Sequence, residues 1–139
     1  MAFIHLYQGN PTSGGTDGTL VSESGTYINA INTTLLNASN LEVGTWQKLA
    51  IRCDNNYATS GNVTIAPVGT SASDWQFAPD NSGSPGVAQG WGNPLVISTQ
   101  VSTTNTIFWV QAKTTVTDTV PVSDKNVSIN FSANIMATN

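Results

Sequence analysis

Charge is what this sequence has least of. Only 9% of its 139 residues are Asp, Glu, Lys or Arg, against about a quarter in an ordinary soluble domain. Four Lys and Arg against eight acids leave a net charge of −4, which argues against a general nucleic-acid binder, because that binding rests on many cations neutralising phosphates. Cysteine and histidine occur once each. Cys53 has no partner for an intramolecular disulfide, and in the alternating run LAIRC it reads as a small buried hydrophobe. His5 sits in an apolar N-terminal run with no nucleophile motif around it, so it reads as a strand residue and not as a catalytic base. No apolar run approaches the ~18 residues of a membrane helix. The first residues, MAFIHLYQGNPTSGG, lack the basic and long apolar regions of a signal peptide. The expectation is a protein made in a cytoplasm, without membrane insertion.

Ser, Thr and Asn fill the space that charge leaves, at about a third of the chain, far above their usual share. Thr favours strands, while Asn, Ser and Gly favour turns, so the mix suits many short strands with tight connections. A hydrophobic content of 39% over 139 residues is enough for one core without disulfide staples.

The stretch 105–133, NTIFWVQAKTTVTDTVPVSDKNVSINFSA, organises the rest. It reads as a hairpin, two strands joined by a polar loop. Alternation puts Ile107, Trp109 and Gln111 on one face and Phe108, Val110 and Ala112 on the other. The returning strand sets Val127, Ile129 and Phe131 against Ser128, Asn130 and Ser132, a period of two that marks one face in the core and one in water. The first of the pair is apolar on both faces at its centre, which places it inside a sheet.

Before this stretch, residues 2–8 read as a short strand with Phe3, His5 and Tyr7 on one face and Ile4 and Leu6 on the other. Residues 9–40 read as a polar, extended, arm-like segment, with Asp17-Gly18 as a turn signal. Leu49, Ile51 and Cys53 form the inward face of a strand that starts near Trp46. The next strand carries Val63 and Ile65 and is expected to stop at Pro67 and Gly69, after a loop carrying Tyr57. Trp75 and Phe77 mark another strand. Residues 79–94 are too rich in Gly and Pro for regular structure, and Leu95 and Ile97 begin the strand after them. Turn signals recur every ~8–12 residues and no helical period appears, which predicts a single all-β domain over 1–139. An immunoglobulin-like Greek-key β-sandwich fits best, and a jelly roll is the alternative.

No catalytic, cofactor or metal constellation stands out. Asp74, Asp80, Asp118 and Asp124 lie in or beside loops, but without the spacing of a calcium loop they read as turn-capping residues. Nothing selects a pair of carboxylates for glycoside hydrolysis. The triplets Asn32-Thr33-Thr34 and Asn62-Val63-Thr64 are what an Asn- and Thr-rich chain contains by chance, and they are not read as glycosylation sites. Trp46, Trp75 and Trp109 fall in apolar-periodic segments and are expected in the core. Trp91 differs, because it sits between Gly90 and Gly92 in the Gly/Pro-rich stretch. An exposed Trp there, joined by Tyr57, would stack on a sugar ring or anchor a protein partner; the other reading folds Trp91 back over one end of the sandwich.

Five runs carry a resemblance: DGTLVSESG at 17–25, KLAIRCDNNYATSGNVTIAPVGTSASDWQFAPDNSGSPG at 48–86, NPLVIS and TNTIFWVQAKTT between 93 and 115, and DKNVSINFSA at 124–133. Together, over roughly residues 17–135, they resemble small structural proteins of tailed bacteriophages and prophages. That resemblance implies an immunoglobulin-like virion component made in the bacterial cytoplasm, without catalytic activity. Its partners would be other copies of itself or other virion proteins. It transfers no site residues. The alternative expectation is a carbohydrate-binding or receptor-binding module that uses Trp91 and Tyr57 on a surface carbohydrate.

Overall fold

The computed structural model describes residues 3–21, 43–69, 72–113 and 127–138. These residues form nine β-strands: β1 (Ile4–Gln8), β2 (Thr19–Leu20), β3 (Gln47–Cys53), β4 (Tyr57–Gly69), β5 (Trp75–Asn81), β6 (Ser84–Pro85), β7 (Leu95–Ile97), β8 (Thr106–Ala112) and β9 (Val127–Ala137). A 3-10 turn, Ala72–Asp74, leads into β5. The strands make two antiparallel sheets, one ordered β2-β1-β3-β8-β5-β6 and the other β7-β4-β9. This is an all-β sandwich, the architecture common to both fold expectations.

Alternation decides which face of each strand is buried. Ile4 and Leu6 of β1, Leu49, Ile51 and Cys53 of β3, Trp75 and Phe77 of β5, and Phe108, Val110 and Ala112 of β8 turn inward from the larger sheet. Val63 and Ile65 of β4 and Leu95 of β7 meet them from the smaller one. Phe77 and Phe108 are fully buried and meet edge to face, with ring centroids 6.0 Å apart. Burying each such ring contributes about 1.5–3 kcal/mol. The edge-to-face pair adds about 0.5–1.5 kcal/mol.

From β3 onward the chain switches sheets at almost every step, and this corrects the expected hairpin over 105–133. β8 lies between β3 and β5, as its two apolar faces predicted, but β9 pairs with β4 in the other sheet. Ile129, Phe131, Ala133 and Ile135 of β9 pack against the core from that side. Periodicity identifies the face a strand buries, not the strand beside it. The side chains of Val127 and Ser128 and the connection 114–126 lie outside the described residues.

β4 also differs from expectation. Tyr57 opens the strand instead of sitting in a loop, and the Ser60-Gly61-Asn62 turn signal is a bulge within it. Ser60 pairs with Asn134 and Thr64 with Ser132, so three residues of β4 face Ala133 alone. Gly61 takes the positive φ of 84° that the bulge requires. Pro67 does not end the strand but pairs with Ile129. β7 covers only Val63–Ile65, so among the described residues β4 has a neighbouring strand on one side only at Pro67, where a strand tolerates proline.

Residues 9–18 fold back over the outer face of the larger sheet, and Asn105 holds them there. Its buried side-chain amide donates to the Thr12 carbonyl at 3.0 Å, the Asp17 carbonyl at 3.2 Å and Asp17 Oδ1 at 2.9 Å. Its own carbonyl accepts from Arg52 Nη1 at 2.7 Å. Arg52 also donates to the Asp17 carbonyl at 2.8 Å and lies 3.5 Å from the centroid of the Tyr7 ring. Gly18 passes close by with φ 110°, where a Cβ would come within 3.0 Å of the Tyr7 Cβ, so the crossing is open to glycine alone. Of the arm-like segment 9–40, residues 9–21 are thus packed on the sheet and 22–40 lie outside the described residues.

Candidate functional site

Trp91 and Tyr57 occupy opposite ends of the sandwich. The register sets the start of β5 beside the end of β8, through Trp75 and Ala112. The Gly92 N–H donates to the Trp75 carbonyl at 2.8 Å, which fixes Trp91 at that end. Its ring is half-buried, with Lys113 Nζ 4.6 Å from its centroid. Tyr57 lies at the far end, where its N–H donates to the Asp54 carbonyl at 3.1 Å and its ring stacks on Phe3 at a centroid distance of 4.4 Å. The two aromatics do not converge on one ligand.

The other sequence candidates have local partners. Asp80 Oδ1 accepts from Trp109 Nε1 at 2.9 Å, and the Asp74 carbonyl accepts from the Lys113 N–H at 3.0 Å. Asp118 and Asp124 lie outside the described residues. His5 Nε2 is 3.2 Å from Asp54 Oδ1 at the sheet surface. Cys53 is buried with its Sγ 3.6 Å from the Val101 carbonyl, and burial, then the neighbouring Asp54 carboxylate, push its thiol pKa up. That environment suppresses the thiolate that reactivity needs. Among the described residues no group of three or more His, Cys, Asp or Glu side chains is arranged to hold a metal ion.

Two surfaces that sequence reasoning did not locate stand out. The first is the free edge of the smaller sheet. In the larger sheet both edges are closed. Beyond β5 lie β6 and then the Gly/Pro-rich run, whose Gly86, Gln89 and Gly92 N–H groups donate to the carbonyls of Pro79, Phe77 and Trp75 at 2.7, 2.9 and 2.8 Å. Beyond β1 lies β2, followed by a bond of 2.9 Å from the Val21 N–H to the Leu6 carbonyl. The smaller sheet ends on one side in the three-residue β7 and on the other in β9, which is eleven residues long. Among the described residues β9 pairs with β4 alone. Its sequence, VSINFSANIMA, has no charge and no proline, the usual guards of an exposed edge. Ile129, Phe131 and Ile135 are only partly buried, so a strand added alongside would cover apolar as well as polar surface.

The second surface is a hollow of about 380 Å³ where β1 stops short of the start of β3. Continuing the β1–β3 register past Tyr7 and Ala50 would set residues 9 and 10 opposite Lys48 and Gln47. Instead Gly9 and Asn10 take φ values of 83° and 58° and turn the chain away, which leaves room beside Lys48. Trp46 and Trp109 line the space with Gln8, Asn10, Gln47 and Lys48. Both indoles are half-buried, unlike Trp75, which alone of the three meets the expectation of a core tryptophan. Trp109 shares its outward face with Ile107 and Gln111 because Phe108, Val110 and Ala112 take the core side. The hydrogen bond to Asp80 holds its indole in place. Lys48, directly opposite Trp109 on β3, is the one titratable side chain of the lining among the described residues. Among the described residues this lining offers aromatic surface for stacking and amide and ammonium groups for hydrogen bonds.

No protein-family model, curated protein or solved structure matches the chain.

Proposed function

We propose that this protein is a non-enzymatic structural component of a tailed phage or prophage particle, an immunoglobulin-like sandwich that acts through protein–protein assembly. The observation that carries this reading is the β9 edge, eleven residues long, uncharged and without a second partner strand among the described residues. An edge of this kind accepts a strand from a neighbour, with main-chain hydrogen bonds supplying affinity and alternate side chains the fit. The partner is another copy of this chain or an adjoining virion protein, and repetition of one interface suits a particle. Asn130, Ser132 and Asn134 are exposed along the strand, so the joint has hydrogen-bonding side chains as well as backbone. The resemblance of the 17–135 stretch to phage and prophage structural proteins points the same way.

Mass spectrometry of purified particles from induced source cells tests the reading. Many copies of this chain per particle are expected, and its absence from intact particles overturns the proposal. A second reading, a saccharide-binding module, draws on a different part of the molecule, the Trp46–Trp109 hollow.

A further inference from the structure

We propose that the hollow beside β1 and β3 is a subsite for one pyranose ring of an oligosaccharide, with Trp109 as its stacking platform. The inference does not depend on the β9 assembly edge, which belongs to the other sheet, so either fails without the other.

Three features select this ligand class. First, a pyranose presents a flat patch of C–H bonds on one face and hydroxyls around its rim, so its binding surface must join an aromatic plane to polar groups. Trp46 and Trp109 supply aromatic surface, and the Asn10 amide with the Lys48 ammonium supplies polar groups at its rim. Second, the platform is fixed before a ligand arrives. Trp109 stands on the central strand β8, and Asp80 Oδ1 holds its Nε1 at 2.9 Å. A ring held in this way loses little freedom when a sugar stacks on it. Third, the volume of about 380 Å³ lies at the small end of the range for ligand sites, about 300–1,000 Å³. It suits one sugar unit of a longer chain and not a fully enclosed oligosaccharide.

The same lining disfavours other small ligands. Among the described residues the lining has one cation, which makes a poor phosphate site, and no carboxylate to hold a metal or an amine. Trp91 is a weaker platform, because Lys113 Nζ already lies 4.6 Å from its ring centroid. Lys48 gives the subsite a further preference: a uronic-acid unit, which brings a carboxylate to the ammonium, binds more tightly than its neutral hexose counterpart, and salt weakens that difference.

The test titrates the full-length protein with neutral hexose oligosaccharides and a uronic-acid oligosaccharide, followed by tryptophan fluorescence and by indole N–H signals in NMR. The expected result is saturable binding that shifts the Trp109 and Trp46 indole signals and leaves the Trp75 signal in place. Trp109→Ala is expected to lower affinity at least tenfold, and Lys48→Gln to remove the uronic-acid preference while neutral binding persists. Trp46→Ala, outside the strands, gives the same loss with less risk to the fold, and decides the matter if Trp109→Ala does not fold. Binding that survives Trp46→Ala and any folded Trp109→Ala protein unchanged overturns the proposal, as does the absence of any indole shift at saccharide concentrations of about 10 mM, near the weak limit of measurable affinity.

Discussion

The two sheets handle their edges in opposite ways. The larger one is closed at both sides, by the short strand Thr19–Leu20 along β1 and by β6 and the run through Gly92 along β5. The smaller one leaves eleven residues of β9 without a second neighbour among the described residues. Both sheets share one core, so the difference does not come from a lack of apolar residues on β9. It lies in what the chain places beside each edge. An irregular segment with few side chains, such as the Gly/Pro-rich run, closes an edge because its N–H groups reach the exposed carbonyls without presenting a new ladder of their own. The regions poorest in regular structure thus limit the larger sheet, whereas the eleven-residue β9 has no second neighbour among the described residues.

Breaking the shared core should have the largest effect. Phe108→Ala removes a fully buried ring that meets Phe77 and is expected to cost about 3–5 kcal/mol in urea unfolding, with both sheets lost in one transition. Next comes the anchor of the 9–18 segment. Asn105→Ala leaves Arg52, Asp17 and Thr12 without their shared partner and should cost about 1–3 kcal/mol, read as a lower thermal midpoint. The closed edge can be loosened at its hairpin, where Ser82 and Gly83 have φ values of 53° and 95°. Gly83→Val puts a branched side chain at a positive φ, and a loss of about 1 kcal/mol or more is expected, with faster amide exchange at Gly86 and Gln89 as the specific sign.

Charging the open edge should touch stability least. Ser132→Lys with Asn134→Lys alters exposed positions on β9, so each change should shift the monomer by no more than about 0.5 kcal/mol. Association, followed by light scattering, should disappear. A pH dependence belongs to the closed side. The Thr12 N–H, then the Thr12 hydroxyl, hold the Asp17 carboxyl below its ordinary 3.8, with Asn105 adding to them. A group whose folded pKa is depressed stabilises fully above its unfolded value and loses that contribution as pH falls through the folded one. The 9–18 segment should therefore loosen as pH drops below 3.8. Asp17→Asn should flatten this acid dependence of stability.

Much of this was legible in the sequence where alternation was strict. Leu49, Ile51 and Cys53, the Trp75–Phe77 pair, and the core face of β9 were placed by period two, because backbone geometry fixes that period, whereas for β8 it separated the two faces without saying which one is buried. Neighbour relations were not legible. β8 and β9 read as a hairpin because they follow one another, yet they oppose each other across the core. Trp46 and Trp109 read as core residues because they adjoin apolar runs, whereas the inward face of β8 was already filled by Phe108 and Val110. The parity of Trp109 with Gln111 was the signal that it faces outward. Asn105 looked like one more polar residue in a polar chain. Its role as the hub for Thr12, Asp17 and Arg52 depends on a contact across 93 residues, which no local pattern encodes.

Amide hydrogen exchange measured across a range of protein concentrations tests the β9 claim most directly. Protection of β9 amides is expected to rise with concentration, far less so at β5 and β1, and the Ser132→Lys, Asn134→Lys protein to show no such rise. Protection of β9 that is independent of concentration, or a rise confined to the larger sheet, would contradict it.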